Sequence, residues 1–355
     1  MKTSCSAVWS NVHITPQGNQ TPCCFWPSSL EFDREDVKKQ MLQGKSIEGC
    51  SGCDNFSKHQ QPNLRDRFNQ YLPYSDNITS VDLSVDNICN FECLMCSSEY
   101  SHRAAKRESL YLGSTVAEDK YLQNTKYKQL PWDTITSVKM FGGEPLVSSG
   151  FKQFVEWSKD RIDWSTIDLE IITNNSVPIP KLYHEMLSTA KSLRVIISRD
   201  GLDGVNQMVR QGAQPLAKEI ARFDAWQAYT TDVTVHSAVG VYNAMDQTSM
   251  HKWFAQHYPL WKCTMEMIQS PAYLDLRNMP KELKDIYALA ITEPQILTWL
   301  AIPGEDHFDA FVAVHRASQQ LYNMDTHHNN PILDDYINNY SGSVVDFETI
   351  GARYA

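Results

Sequence analysis

The chain has 355 residues, 42% of them apolar, and a formal charge of −10. That length and apolar share allow one large domain with one or two small ones, and they exclude a chain disordered by composition. The acidic balance argues against nucleic acid as the main partner, because phosphate binding draws on an excess of Lys and Arg. The run His102, Arg103, Lys106, Arg107 is the candidate basic patch, and it reads as a solvated helix face. No stretch approaches the roughly eighteen apolar residues of a membrane span. The start, Met-Lys-Thr-Ser-Cys, lacks the apolar core of a signal peptide, so a cytoplasmic protein without a membrane partner is expected. In that compartment clustered cysteines read as metal or redox ligands rather than disulfides.

Seven of the nine cysteines fall into two spaced sets. In the first, Cys5 is followed by twelve residues, Gly18, four more residues and Cys23, and then comes Cys50-Ser-Gly-Cys53. The segment between Cys5 and Cys23 reads as a hairpin. Val12 and Ile14 alternate, Pro16-Gln17-Gly18-Asn19 supplies the turn, and Pro22 precedes the pair Cys23-Cys24. The spacing from Gly18 favours Cys23 as the ligand, and Cys24 reads as a small buried residue. Two thiolates from a hairpin and two from a Cys-x2-Cys turn suit a fully ligated iron–sulfur cluster. They equally suit a tetrahedral zinc that only folds the N-terminus.

From residue 76 strands and helices alternate. Ser80 to Val85 is the first expected strand, and it leads into Cys89-Asn-Phe-Glu-Cys93-Leu-Met-Cys96. Three thiolates on one short loop hold three irons of a cubane and leave the fourth open to a substrate or cofactor. A charged helix is expected from Ser98 to about Leu110, then a loop with short helical pieces over 111–133. Ile135 to Phe141 is the second strand, followed by Gly142-Gly143-Glu144-Pro145. A helix starts near Ser149, capped by Ser148 or Ser149, with Phe151, Phe154, Val155 and Ser158 at helical spacing. The third strand, with Ile167, Leu169 and Ile171, ends on Thr173-Asn174-Asn175. The fourth, Leu193 to Ser198, ends on Arg199-Asp200-Gly201. Val233 to Val241 is the fifth and Cys263 to Ile268 the sixth. Such alternation predicts a parallel sheet, with functional groups at the C-terminal ends of its strands. Beyond about 271 the chain reads as mostly helical, over Lys281 to Ile291, Pro294 to Leu300 and His307 to Asn323.

The Cys-x3-Cys-x2-Cys run after a strand resembles the signature of the radical S-adenosylmethionine (radical SAM) superfamily. In that family the open iron takes the amino and carboxylate groups of SAM, and one electron splits the sulfonium to give a 5′-deoxyadenosyl radical. The resemblance implies an α/β fold, a partial (β/α)6 TIM-like barrel. Gly142, Gly143 and Glu144 are similar to the family's Gly-Gly-Glu run at the methionyl amine. Two glycines let backbone approach a ligand, and a carboxylate accepts hydrogen bonds from an ammonium. Thr173-Asn174-Asn175 resembles a Thr-Asn-Gly run, with Asn175 in the glycine position and able to take a left-handed turn. Ser198-Arg199-Asp200-Gly201 resembles a Ser-Ile-Asp-Gly run. The resemblance implies cofactor contacts at Asn174, Ser198 and Asp200, with Arg210 meeting the SAM carboxylate; a surface helix arginine is the other reading of Arg210. Met95 stands where the family usually has an aromatic near the adenine.

The N-terminal set, over roughly residues 3 to 75, resembles the twitch domain, a shortened SPASM domain. Those domains carry an auxiliary [4Fe–4S] cluster, and relatives usually place them after the barrel, whereas here the module comes first. The expected organisation is a twitch-like domain over 1–75, the barrel over 76–270 and a helical extension over 271–355. Two [4Fe–4S] clusters are expected, at Cys89, Cys93 and Cys96 and at Cys5, Cys23, Cys50 and Cys53, together with SAM and a one-electron reductant such as flavodoxin or ferredoxin. The implied activity is hydrogen abstraction from a C–H bond in the oxidative modification or cross-linking of a peptide. A small-molecule dehydrogenase or mutase is the alternative enzyme, and a non-catalytic iron–sulfur electron carrier or sensor is the alternative of another class. Peptide maturases often begin with a winged-helix domain, and with the first cysteine at residue 5 none is expected here. Cys263 reads as an inert core cysteine, with return of a hydrogen atom to a substrate radical as the other reading. His13, His236, His327 and His328 read as structural or solvated.

Overall fold

The computed structural model describes residues 4–58, 63–112 and 124–342. Among these, the strands are β1 (Asn11–Ile14), β2 (Gln20–Thr21), β3 (Ser80–Leu83), β4 (Glu92–Cys93), β5 (Ser137–Met140), β6 (Asp168–Thr173), β7 (Ser192–Ser198), β8 (Arg210–Gln211), β9 (Val233–Val239) and β10 (Lys262–Met267). The chain divides into two units. One comprises Met1–Ile88, Lys120–Ile172 and Ile179–Arg194, the other Cys89–Asp119, Thr173–Pro178 and Val195–Ala355.

In the first unit the strand order is β2-β1-β3-β5-β6. β1, β3, β5 and β6 run parallel, and β2 returns antiparallel to β1. The apolar residues at alternate positions, Val81 and Leu83, Val138 and Met140, Leu169 and Ile171, are all buried. Period-two patterning therefore puts one face of the sheet into the core. The positions between them carry a polar row in register: His13 opposite Asp82, Asp82 opposite Lys139, Lys139 opposite Glu170. Lys139 Nζ lies 3.2 Å from Glu170 Oε1. Burial works against the Lys139 charge, but Asp82 and Glu170 hold it on. Burial pushes His13 down to about 4, so its ring is neutral.

Helix Ser149–Ser158 follows β5 and buries Phe151, Phe154, Val155 and Ser158, the residues its spacing singles out. Its N-cap is Ser148, whose hydroxyl accepts from the Phe151 N–H at 2.9 Å. Asp86, buried just beyond β3, accepts from the Ser148 hydroxyl at 2.6 Å, the Gly150 N–H at 2.9 Å and the Ile88 N–H at 3.1 Å. One carboxylate thus ties the end of β3 to the turn after β5.

In the second unit β7 from Val195, β9 and β10 run parallel, and β4 pairs antiparallel with β8 over two residues. Val239, Val241, Met267 and Ile268 share one core with Leu283, Tyr287, Phe308, Phe311 and Leu333. The C-terminal helices Lys281–Ala290, Phe308–Tyr322 and Pro331–Asn338 therefore have no core of their own.

The hairpin forms where its turn residues predict it, with His13 opposite Thr21, but β1 also pairs with β3. All four residues of β1 are buried, a pattern that period two by itself does not forecast. The helix expected from Ser98 begins at Ala104. Of the loop expected over 111–133, residues 113–123 lie outside the described residues, and Lys126–Gln129 is a single 3-10 turn. Among the described residues no helix is long and apolar enough to cross a membrane.

Replacing Asp86 by Ala strands a buried hydroxyl and two amides. The expected loss of unfolding stability is about 3 kcal/mol. In urea denaturation this appears as a lower midpoint at unchanged slope.

Candidate functional site

The Cys89–Cys96 loop is held by its backbone. Cys93 pairs with Arg210 and Glu92 with Gln211 in the β4–β8 ladder, and the Leu94 N–H donates to the Val209 carbonyl at 2.9 Å. Gly212, which follows β8, has φ +105°, and a Cβ there would lie 3.0 Å from Phe91 Cδ1 and 3.1 Å from the Asn90 carbonyl oxygen. Only glycine lets β8 come this close. Phe91 is buried with Cys93 and Ala213, and Cys89, Met95 and Cys96 pack on that small cluster.

The loop carbonyls point to cations and a hydroxyl. Buried Arg107 donates to the Cys93 and Cys96 carbonyls. Arg103 donates to the Asn90 carbonyl at 2.7 Å and the Ser101 hydroxyl to the Phe91 carbonyl at 3.0 Å. Within the basic run Arg103 is exposed, as a solvated face requires, but Arg107 is buried, and both arginines hold the cysteine loop. The run's spacing held no sign of this, since the partners are backbone oxygens that any sequence carries.

The sulfurs receive donors. Cys89 Sγ accepts from the Phe91 N–H at 3.4 Å and from Asn174 Nδ2 at 3.9 Å, and Arg210 Nη1 lies 3.8 Å from Cys93 Sγ. Burial pushes the Cys93 thiol up, with Arg210 opposing. Burial pushes the Cys96 thiol up to about 12, with Cys93 adding to the push. Protonated thiols of this kind release their protons when a metal binds.

Arg210 is no surface arginine. It ends helix Asp203–Val209 and grips the fully buried Asp200 side-on, Nε to Oδ2 at 2.8 Å and Nη2 to Oδ1 at 3.1 Å. Burial works against its charge, but Asp200 and then Cys93 more than restore it. Asp200 Oδ1 also accepts from the Ala238 N–H at 2.8 Å, which ties the pair to β9. Asn174 Nδ2 donates to Asn90 Oδ1 at 3.1 Å. Asn175 takes the left-handed turn expected of it, at φ +54°. Ser198 ends β7 opposite His236.

Gly142 and Gly143 both have positive φ, and a Cβ on Gly143 would lie 2.6 Å from the Ile88 carbonyl oxygen. That carbonyl accepts from the Glu144 N–H at 2.8 Å. The Gly-Gly-Glu turn is therefore anchored to the residue immediately before Cys89. Glu144 is buried, its Oε1 accepts from the Leu146 N–H at 3.1 Å, and the Tyr183 hydroxyl donates to the Pro145 carbonyl at 2.7 Å.

Cys5, Cys23, Cys50 and Cys53 line one cavity in the first unit, with Val8, Phe25, Phe68 and Arg65. The local structure differs from the expected one. Cys5 is the N-cap of helix Ser6–Ser10, which separates it from the hairpin. Cys50 ends a 3-10 turn and Cys53 lies inside helix Ser51–Lys58, so the Cys-x2-Cys pair is helical. Burial pushes Cys5 up to about 12, with the Ala7 amide opposing and Cys50 and Cys53 adding. Burial raises Cys23, Cys50 and Cys53 as well. Cys24 lies outside the lining of this cavity. Cys263 is half-buried on β10 rather than in the core, and burial pushes its thiol up to about 11.

Among the described residues no three cysteine sulfurs lie within 4.8 Å of one another. Asp86, Arg65 and Tyr183 went unread in the sequence, where none belongs to a spaced motif, and Arg107 was read only as part of the basic patch.

No family model matches the chain, and no curated protein matches it. Three solved structures that do match are all distant. Streptococcus suis SuiB bound to S-adenosylmethionine matches at 13% identity over 75% of this chain and 58% of that one, with a TM-score of 0.38. SuiB bound to precursor peptide SuiA matches at 13% identity over 74% of this chain and 58% of that one, at 0.39. The third, anSMEcpe with bound AdoMet and Cp18Cys peptide, matches at 14% identity over 70% of this chain and 66% of that one, at 0.39. The chain thus spans 58–66% of the length of these structures.

In metal-free protein the raised thiols are expected to be poor nucleophiles. Thiolate fraction falls about tenfold per unit of pKa. Peptide-resolved iodoacetamide labelling at pH 8 should therefore find Cys5 and Cys96 at least tenfold slower than free cysteine.

Proposed function

We propose that this chain is a radical SAM enzyme with two [4Fe–4S] clusters that oxidatively modifies or cross-links a peptide. The observation that carries the reading is the Cys89–Cys96 loop. The sulfurs of Cys89 and Cys93 face N–H and guanidinium donors, and the residue before the loop anchors a Gly-Gly-Glu turn. An electron carrier has no need of that turn. Cys89, Cys93 and Cys96 would hold one cluster, and Cys5, Cys23, Cys50 and Cys53 the auxiliary one. When bound, the first cluster and SAM supply the 5′-deoxyadenosyl radical that abstracts hydrogen from the substrate.

The chain's own residues bind and orient. By the resemblance Glu144 would accept from the methionyl ammonium, and its burial would make that charged hydrogen bond stronger than one in water. Asn174 steadies Cys89 through its sulfur and through Asn90. Arg210, held by Asp200, keeps positive charge at Cys93, and by the resemblance that charge would also meet the SAM carboxylate. Met95 offers an apolar, polarisable wall to the adenine. The twitch-like spacing is the ground for taking a peptide as substrate, since relatives with that module often modify ribosomally made peptides. A flavodoxin or ferredoxin is the proposed reductant, and the cytoplasm the proposed location.

Anaerobically reconstituted, dithionite-reduced protein should convert SAM to 5′-deoxyadenosine, detected by mass spectrometry, and Cys93→Ala should abolish the product. A full iron complement with no product from any candidate peptide would defeat the reading. Glu144→Gln should weaken SAM binding about tenfold, the worth of one charged hydrogen bond. Metal analysis should find about eight irons per chain with full ligation of both clusters. About four irons plus one zinc would instead make the N-terminal set a structural zinc site.

A further inference from the structure

Arg65 is the one charged side chain among the residues that line the four-cysteine cavity. It is 5% exposed. Its Nη2 pairs with Asp54 Oδ1 at 2.8 Å, but the Asp54 side chain is 28% exposed and takes no part in the lining. The ion pair is therefore directional, with its cation toward the sulfurs and its anion toward solvent. The rest of the wall is apolar, from Ala7, Val8, Pro22, Phe25, Leu64 and Phe68. A guanidinium in such a wall is costly unless anions face it, and it cannot lose its proton.

Two kinds of donor converge on the same side of the cavity. Arg65 makes a side-chain hydrogen bond to Cys50 and lines the cavity beside it. Against the burial that raises Cys53, the backbone amides of Arg65 and Leu64 donate to the sulfur. Those amides open helix Leu64–Tyr71, whose N-cap Asn63 accepts from the Asp66 N–H at 3.1 Å. The helix therefore presents its positive end to Cys53 while its first turn presents Arg65 to Cys50.

We propose that Arg65 sets the reduction potential of the N-terminal cluster, raising it so that this cluster accepts electrons rather than supplying them. The inference rests on the two-cluster reading above. The couple gains one electron and no proton, so reduction adds one negative charge to the cavity. A fixed cation beside the sulfurs stabilises the reduced form more than the oxidised one, and a water-poor wall weakens the screening. Hydrogen bonds to cluster sulfurs act in the same direction. Arg65 is in this sense a positioning residue that acts through Cys50 and Cys53.

The test is an EPR-monitored redox titration of the reconstituted full-length protein, with the Cys89–Cys96 cluster as internal reference. Arg65→Gln should lower the midpoint of the N-terminal cluster alone. Arg65→Lys should restore most of the shift, because it returns the charge without the fork. Asp54→Asn, which removes the outer anion, should move the midpoint upward. If Arg65→Gln fails to assemble, the upward shift of Asp54→Asn decides by itself. Unchanged midpoints in variants with full iron content, or equal shifts of both clusters, overturn the role of Arg65. A wild type with about four irons and one EPR signal overturns the two-cluster reading instead.

Discussion

Three cysteines within one eight-residue run can present their sulfurs together only if the run's own backbone is satisfied from elsewhere. Buried Arg107 does most of this, holding two carbonyls of the Cys89–Cys96 loop from the following helix. Arg103, Ser101 and the short β4–β8 ladder take further groups. With the carbonyls turned toward these partners, the sulfurs are left to face the Phe91 amide, Asn174 and Arg210. Both the setting of the sulfurs and the attachment of β8 follow from that division of the loop.

Arginine recurs at both cysteine sets, in different roles. Arg107 binds carbonyls, Arg210 stands beside a sulfur with its charge held by Asp200, and Arg65 lines the N-terminal cavity with its charge held by Asp54. In each of the last two cases a carboxylate pairs with a guanidinium that also reaches a cysteine sulfur. The planar fork allows this, since one side-on pair leaves other N–H groups in a fixed direction. The Gly-Gly-Glu turn is held differently, through backbone contact with Ile88, while the Asp86 carboxylate holds the start of the next helix through Ser148 and Gly150.

Much of the architecture was legible because it is governed by local rules. Period-two alternation located the strands from β3 to β10 that carry the parallel pairs, and the turn residues located the hairpin. Helical spacing and Ser148 located the helix after β5. The left-handed turn at Asn175 followed from the small polar side chain that stands in place of glycine. What went unread is long-range. β1 lies against β3 across more than sixty intervening residues, and a four-residue strand carries too little pattern to announce two partners. Asp86 and Arg65 act on groups distant in sequence, so no spacing marks them, and Arg107, read only as part of a basic patch, binds backbone carbonyls that its run does not announce. The helical Cys50–Cys53 pair was read as a turn because Ser and Gly favour turns locally, while the cavity wall selects a helix there.

The sequence by itself determined that the chain carries two spaced sets of thiols, because ligand chemistry belongs to side-chain type and spacing is read along the chain. It also determined the alternation of strands and helices, which depends on patterns a few residues long. Only the tertiary structure decided which cations meet which sulfurs, which carboxylates orient those cations, and that the N-terminal strand joins the sheet through β3. Those choices are settled by burial: a charge removed from water must find its partner in space, and its neighbours along the chain do not reveal which partner that is.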